Sequence, residues 1–205
     1  MGSLVMAAAS FLSFLALWRT YQEHEITTIH HLAMFFVYFG VFQLILGLPL
    51  FISGLEPLQV RAFALFAHIF LYIGLAYFGR IAVYIFRPKW EYHIFILNLL
   101  IGAAAMYMML STWTRAPALI AVPTLGNLVL LGTVPFLYMG VKQQGVDRIK
   151  MLAMAVGFLL IAIAGPLHNI ASTAQMMGLV EAVTVSGVLV VVGGVYARHL
   201  ARPED

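Results

Sequence analysis

The chain alternates long apolar runs with short polar segments. Seven runs approach or exceed about 20 residues, the length that an α-helix needs to cross a membrane. We predict transmembrane helices at about Gly2–Arg19, Thr28–Ser53, Val60–Phe86, Tyr92–Trp113, Ala118–Val141, Ile149–Thr173 and Gly178–His199. The runs are continuous and lack period-2 alternation, which favours helices over a β-barrel. The predicted fold class is therefore an all-α integral membrane protein, a single seven-helix bundle over residues 1–205.

The basic residues lie at the ends of these runs and predict an orientation. Nine of them fall on one side of the predicted membrane: Arg19, Arg80, Arg87, Lys89, Lys142, Arg148, Lys150, Arg198 and Arg202. Only Arg61 and Arg115 fall on the other side. Because cytoplasmic loops are enriched in Lys and Arg, we expect the N-terminus outside and the C-terminus in the cytoplasm. The first run lacks a basic segment before it, so we interpret it as a helix rather than a signal peptide.

Composition agrees with this class and excludes several chemistries. Hydrophobic residues make up 63% of the chain and charged residues 9%, whereas soluble domains have about 45–50% and about 25%. The absence of cysteine excludes disulfides, thiolate metal sites, iron–sulfur clusters and cysteine nucleophiles. No basic patch with interleaved aromatic residues is present, so we expect no nucleic-acid partner.

Other seven-helix functions lack the residues that they need. A retinal Schiff base needs a lysine within the membrane, but Lys89, Lys142 and Lys150 are predicted at the cytoplasmic boundary. Zinc-dependent seven-helix lipid hydrolases carry paired histidines on the last helix, where this chain has only His199. Hydrolase motifs, phosphate-binding glycine loops and arginine repeats within one span are also absent.

Three ionisable side chains are predicted in the outer third of the membrane. At about 1.5 Å per residue, His68 lies about 9–12 Å and His168 about 5–8 Å below the outer surface, with Glu181 about one turn into the last helix. In one interpretation, His68 and His168 are axial ligands of a b-type haem. Residues that would wall the porphyrin are Phe66, Phe70, Tyr72 and Met154.

Two alternatives for the same residues remain open. His68, His168 and Glu181 would form a two-histidine, one-carboxylate metal site or a proton-binding cluster. In a purely structural role, the imidazoles would instead hydrogen-bond Glu181, Asn169, Gln175 or backbone carbonyls and tie helices together.

A second histidine pair is predicted at the inner boundary, where His31 begins the second helix and His93 the fourth. Together with His68 and His168 this makes two stacked pairs, one in each leaflet. The number and depth of these histidines resemble those of di-haem cytochrome b subunits of respiratory and formate-dehydrogenase-type complexes. The resemblance implies that His31 and His93 are further haem ligands.

Function is therefore predicted as a choice between classes. The first is a haem b-binding redox subunit in a prokaryotic-type cell membrane, which exchanges electrons with a quinone or with partner membrane subunits. The second is a sensory or signalling subunit, similar in helix number and orientation to the seven-helix input domains of membrane kinases. The third is a structural subunit of a membrane assembly or homo-oligomer, without a cofactor.

Overall fold

The computed structural model describes residues 2–111, 124–170 and 174–200. Within these ranges the side chains of residues 85, 165, 166, 168–170, 174 and 197–200 lie outside the description. All regular structure in the described part is helical. The helices are α1 (Gly2–His24), α2 (Thr27–Gly47), α3 (Pro57–Phe86), α4 (Glu91–Ser111), α5 (Thr124–Lys142), α6 (Gly145–Ile170) and α7 (Ala174–Leu200).

Six of these described helices, all except α6, are long and apolar enough to cross a membrane. The predicted all-α class is confirmed for the described residues, and six long apolar helices are compatible with a multi-pass membrane bundle; the count of seven spans and the orientation stay predictions. Helix α6 has 26 residues, but its first two turns carry Asp147, Arg148 and Lys150. The apolar part of α6 follows these charges, as the predicted span from Ile149 implies.

Proline and capping residues move several helix ends from their predicted positions. Helix α2 ends at Gly47 and continues as a 3₁₀ turn over Leu48–Phe51, because Pro49 has no N–H to donate to the α-helical ladder. Helix α3 begins at Pro57, three residues before the predicted start. There the N–H of Glu56 donates to the Gln59 side chain at 2.9 Å, within a reciprocal capping box.

The helices group into two compact units, Met1–Thr124 and Leu125–Asp205. In the first unit, α1 packs on α2, α2 on α3 and α3 on α4. Phe35 and Phe78 are completely buried between α2 and α3, with ring centroids 5.0 Å apart. Glycine allows the closest approaches: a Cβ on Gly74 would lie 3.2 Å from the Cβ of Tyr38.

In the second unit, α6 packs on both α5 and α7. A Cβ on Gly187 of α7 would lie 2.8 Å from the carbonyl oxygen of Gly157 on α6, so these helices cross in near backbone contact. Helix α5 contains a π-helical stretch over Asn127–Thr133. This stretch runs directly into the α-helical part that carries Pro135, whose missing N–H interrupts the α-helical ladder.

Candidate functional site

Two helices of the first unit, α2 and α3, place polar side chains against one carboxylate oxygen, Oε1 of Glu91 on α4. His31 of α2 donates its Nε2–H to this oxygen at 2.8 Å. Arg80 of α3 donates Nε–H at 2.6 Å and also contacts it through Nη2. We name His30, His31, Arg80 and Glu91 the Glu91 cluster. Charge-assisted hydrogen bonds of this kind are stronger than neutral ones, so the cluster links α2, α3 and α4.

The Glu91 cluster is largely withdrawn from solvent. The side chain of His31 is 3% exposed, that of Glu91 16% and that of Arg80 21%. Removing charges from water is costly unless each is paired and hydrogen-bonded. The two donors meet that requirement for Glu91, and the carboxylate in turn supplies the acceptor and counter-charge for Arg80.

Aromatic rings enclose the guanidinium of Arg80. Its Cζ lies 5.5–5.8 Å from the ring centroids of Tyr77, Tyr92 and Phe95. These distances allow cation–π attraction, which strengthens where the cation is desolvated. Tyr77 also lies against His31, with ring centroids 6.2 Å apart. The cationic group is thus held by the carboxylate on one side and by ring faces around it.

The α3–α4 connection explains why Arg80 meets Glu91. Arg80 lies six residues before the end of α3 at Phe86, and Glu91 is the first residue of α4. Only the 3₁₀ turn Pro88–Trp90 and one preceding residue separate the helices. The hairpin therefore folds the start of α4 back against the last turns of α3. A carboxylate in the first turn of a helix is also favoured by the helix dipole.

The hydrogen bonds of the cluster extend to a fourth side chain, and they assign the proton positions for an ionised Glu91 with neutral imidazoles. An ionised carboxylate only accepts, so His31 must donate through Nε2. A neutral imidazole has one donor and one acceptor nitrogen, so Nδ1 of His31 accepts. Nδ1 of His30 lies 3.4 Å from it and is then the donor. A chain of hydrogen bonds thus leads from half-buried His30 through His31 to Glu91.

The predicted inner haem pair, His31 and His93, occupies two different environments. His31 is buried, and its Nε2 is engaged by Glu91. His93 is exposed, and its ring packs against Trp90 with centroids 5.6 Å apart. As an iron ligand through Nε2, His31 would have to exchange its bond to Glu91 for the metal. The haem role of this pair stays a prediction.

The predicted outer residues lie in different units. His68 of α3 is 7% exposed, and its Nδ1–H donates to the carbonyl of Ala64 at 2.6 Å. The side chain of His168 lies outside the described residues. Glu181 is half-buried on α7. Among the described side chains no group of three or more His, Asp or Glu residues is placed to hold a metal ion. The haem and metal roles of these residues stay predictions.

Sequence reasoning missed Arg80 and Glu91 as site residues. Arg80 was interpreted only as an orientation signal, and Glu91 was not singled out. The available signal was an arginine two turns inside a span, followed by a glutamate across a proline-containing turn. That arrangement places opposite charges together at the same end of a helical hairpin.

Comparison with known proteins adds no identification. No family model, no curated protein and no solved structure matches this chain.

Proposed function

We propose that the chain is a proton-responsive membrane subunit of the sensory or signalling class, with the Glu91 cluster as its proton site. The observation that carries this proposal is the hydrogen-bonded chain His30–His31–Glu91, which ends at the charge partner of Arg80. Intramembrane ionisable groups linked in this way are typical of proton relays. We also propose that seven helices cross the membrane, with the Glu91 cluster near the cytoplasmic side.

The proposed step moves one proton along existing hydrogen bonds. A proton binds Nε2 of His30, which passes its Nδ1 proton to Nδ1 of His31. His31 then passes its Nε2 proton to Oε1 of Glu91. Two N–H bonds break while two N–H bonds and one O–H bond form, so both imidazoles change tautomer and the carboxylate becomes neutral. Arg80 thereby loses its anion, and the link between α2, α3 and α4 weakens.

The described charged or titratable groups that contact His31 affect the free energy of this proton transfer. His30 lies on the same helix, Tyr77, Arg80 and Tyr84 face it from α3, and Glu91 faces it from α4. The positive charge of Arg80 opposes a long-lived imidazolium at His31. Arg80 also contacts the receiving oxygen of Glu91 and opposes its protonation, so the proposed transfer to the carboxylate requires an acid pH.

Infrared difference spectroscopy after an acid pH step tests this proposal on the full chain in lipid nanodiscs. We expect a carbonyl band of protonated Glu91 in the wild type, and its loss in Glu91→Gln. In His31→Gln the amide still donates to Glu91 but does not relay a proton, so the band should form more slowly. His93→Gln, an exposed histidine at the same end of the fold, is the matched control and should behave as wild type.

Two results would overturn the proposal. A carbonyl band that survives in Glu91→Gln would mean that Glu91 does not receive the proton. A band that forms at the wild-type rate in His31→Gln would mean that His31 does not carry it. In either case the cluster would be a structural link between helices.

A haem b-binding redox subunit is the second candidate, and His68 favours it. Metal-bound histidines commonly donate their other ring N–H to a backbone carbonyl, and His68 makes this bond to Ala64. Its Nε2 then carries the free lone pair. Under this candidate His168 is the other ligand, and electrons pass to a quinone or partner subunit.

A dithionite-reduced minus air-oxidised absorbance spectrum of the purified protein tests the second candidate. A sharp α-band that is lost in His68→Ala, but kept in His24→Ala at the exposed end of α1, would support it. A flat spectrum from monodisperse wild-type protein would overturn it.

A further inference from the structure

Two buried hydroxyls have no hydrogen-bond partner among the described residues: one belongs to Thr124 at the start of α5, and the second lies in the interior of α3. This second hydroxyl is the phenol of Tyr72 on α3, a residue that is 3% exposed. Other buried or part-buried hydroxyls bond a carbonyl of their own helix; these are Ser10, Ser13, Thr20, Thr133 and Thr184. A tyrosine hydroxyl is carried too far from its own backbone for that bond. An unpartnered polar group is especially unfavourable where lipid replaces water.

His68 lies one helical turn before Tyr72, and one of its ring nitrogens lacks a hydrogen-bond donor. Its Nδ1–H is used by Ala64 at 2.6 Å, so Nε2 of the neutral ring is an acceptor. No hydrogen bond to Nε2 is formed by the residues that the structure describes. Side chains four residues apart share a helix face, and long side chains lean towards the N-terminal turn. The Tyr72 phenol is therefore carried towards the level of His68.

Neighbouring helices pack closely on the Tyr72 and His68 rings. A Cβ on Gly102 of α4 would lie 2.5 Å from Cγ of Tyr72, so α4 closes directly on this ring. On the other side, the Phe42 ring of α2 meets His68 edge-on, with centroids 5.3 Å apart. Among the described residues the Tyr72 hydroxyl thus lacks an acceptor and Nε2 of His68 lacks a donor.

We propose that His68 and Tyr72 bind one internal water molecule within the membrane-spanning part of the first unit. The water accepts the Tyr72 hydroxyl proton and donates to Nε2 of His68. Residues about 5–6 Å apart at their Cβ atoms, as at i and i+4, suit such a bridge. The proposal does not depend on the Glu91 cluster. It competes with haem ligation by His68, because both use the same nitrogen.

Tyr72→Phe should shift the thermal unfolding midpoint in one direction if water binds the hydroxyl and in the other direction, or not at all, if the hydroxyl is unpartnered. If water satisfies the hydroxyl, its removal breaks that bond, and the thermal unfolding midpoint of the detergent-purified protein should fall by several degrees. If the hydroxyl is unpartnered, the variant loses only an unfavourable group, and the midpoint should rise or stay unchanged. Tyr107→Phe, at a 73% exposed tyrosine of α4, is the matched control and should not shift it.

A double-mutant cycle with His68→Phe assigns the second partner. In the His68→Phe background the bridge is already broken, so Tyr72→Phe should lower the midpoint by less than half of its wild-type effect. Equal shifts in both backgrounds would overturn the shared site. Native mass spectrometry of the wild type completes the test, because a retained organic ligand that Tyr72→Phe releases would overturn water as the occupant.

Discussion

Replacing Glu91 by glutamine removes the anion on which the cluster converges. Breaking a buried ion pair by removing one partner costs about 3–5 kcal/mol. The side chains of Arg80 and Glu91 keep 21% and 16% of their exposure, so water partly stabilises the remaining guanidinium. His31 retains an acceptor, since the glutamine side chain also has a carbonyl oxygen. We therefore expect the low end of the range, a destabilisation of about 3 kcal/mol.

An exposed ion pair of the same unit supplies the control. Arg19 and Glu23 on α1 lie 3.8 Å apart, and their side chains are 84% and 58% exposed. Exposed pairs contribute about 0.2–1 kcal/mol at most, so Glu23→Gln should have little effect. Thermal unfolding in detergent separates the two variants. At about 2–4 °C per kcal/mol for this chain length, Glu91→Gln should lower the midpoint by about 6–12 °C.

Equal midpoints for Glu91→Gln and Glu23→Gln would refute this reasoning. They would show that the Arg80–Glu91 contact is no more stabilising than a solvated surface pair. A cycle that combines Arg80→Gln with Glu91→Gln checks the cause. We expect the double variant to be less destabilised than the sum of the single variants, because neither leaves a buried charge unpaired once both are neutral.

Four further substitutions test the packing and the exposed histidine. Gly102→Ala should destabilise the first unit by about 1–3 kcal/mol, because its Cβ would lie 2.5 Å from the Tyr72 ring. The Cβ of Gly193→Ala would meet no atom within 4 Å, so this variant should stabilise α7 by up to about 1 kcal/mol. Gly187→Ala should destabilise the second unit, because its Cβ would lie 2.8 Å from a backbone oxygen of α6. His93→Ala should change the free energy of unfolding by less than about 0.5 kcal/mol. Each is measured as a shift in the unfolding midpoint. A shift of a glycine variant in the direction opposite to that stated, or a large shift for His93→Ala, would contradict the packing described.

Most of the fold was predictable because membranes impose a simple length rule. A run of about 20 apolar residues must be helical to satisfy its backbone in lipid, and six of the described helices are long and apolar enough to cross a membrane. Helix ends were less predictable, since they depend on local hydrogen bonds. Helix α1 continues past Arg19 to His24, where Glu25 adopts a positive φ of 51°.

The candidate site was harder to predict than the fold. His31 was singled out at a helix start as a haem ligand, which stays a prediction, but its hydrogen bond to Glu91 was not predicted, because the rotation of each helix cannot be read from this sequence. Lipid and protein core are both apolar, so hydrophobic periodicity does not show which face points inward. Arg80 illustrates the difficulty: its position near a span end is also that of an orientation signal. Only the packed α3–α4 hairpin brings it to Glu91.

In the proposed function, His30, His31 and Glu91 form one proton-carrying chain. Nuclear magnetic resonance of the full protein in bilayers, with ¹⁵N-labelled histidine and ¹³C-labelled glutamate, tests it most directly. At neutral pH we predict that His31 carries its proton on Nε2. On acidification, the Glu91 carboxyl signal should move to its protonated position as His31 changes to the Nδ1–H tautomer. A Glu91 signal that stays ionised while His31 becomes doubly protonated would contradict the account.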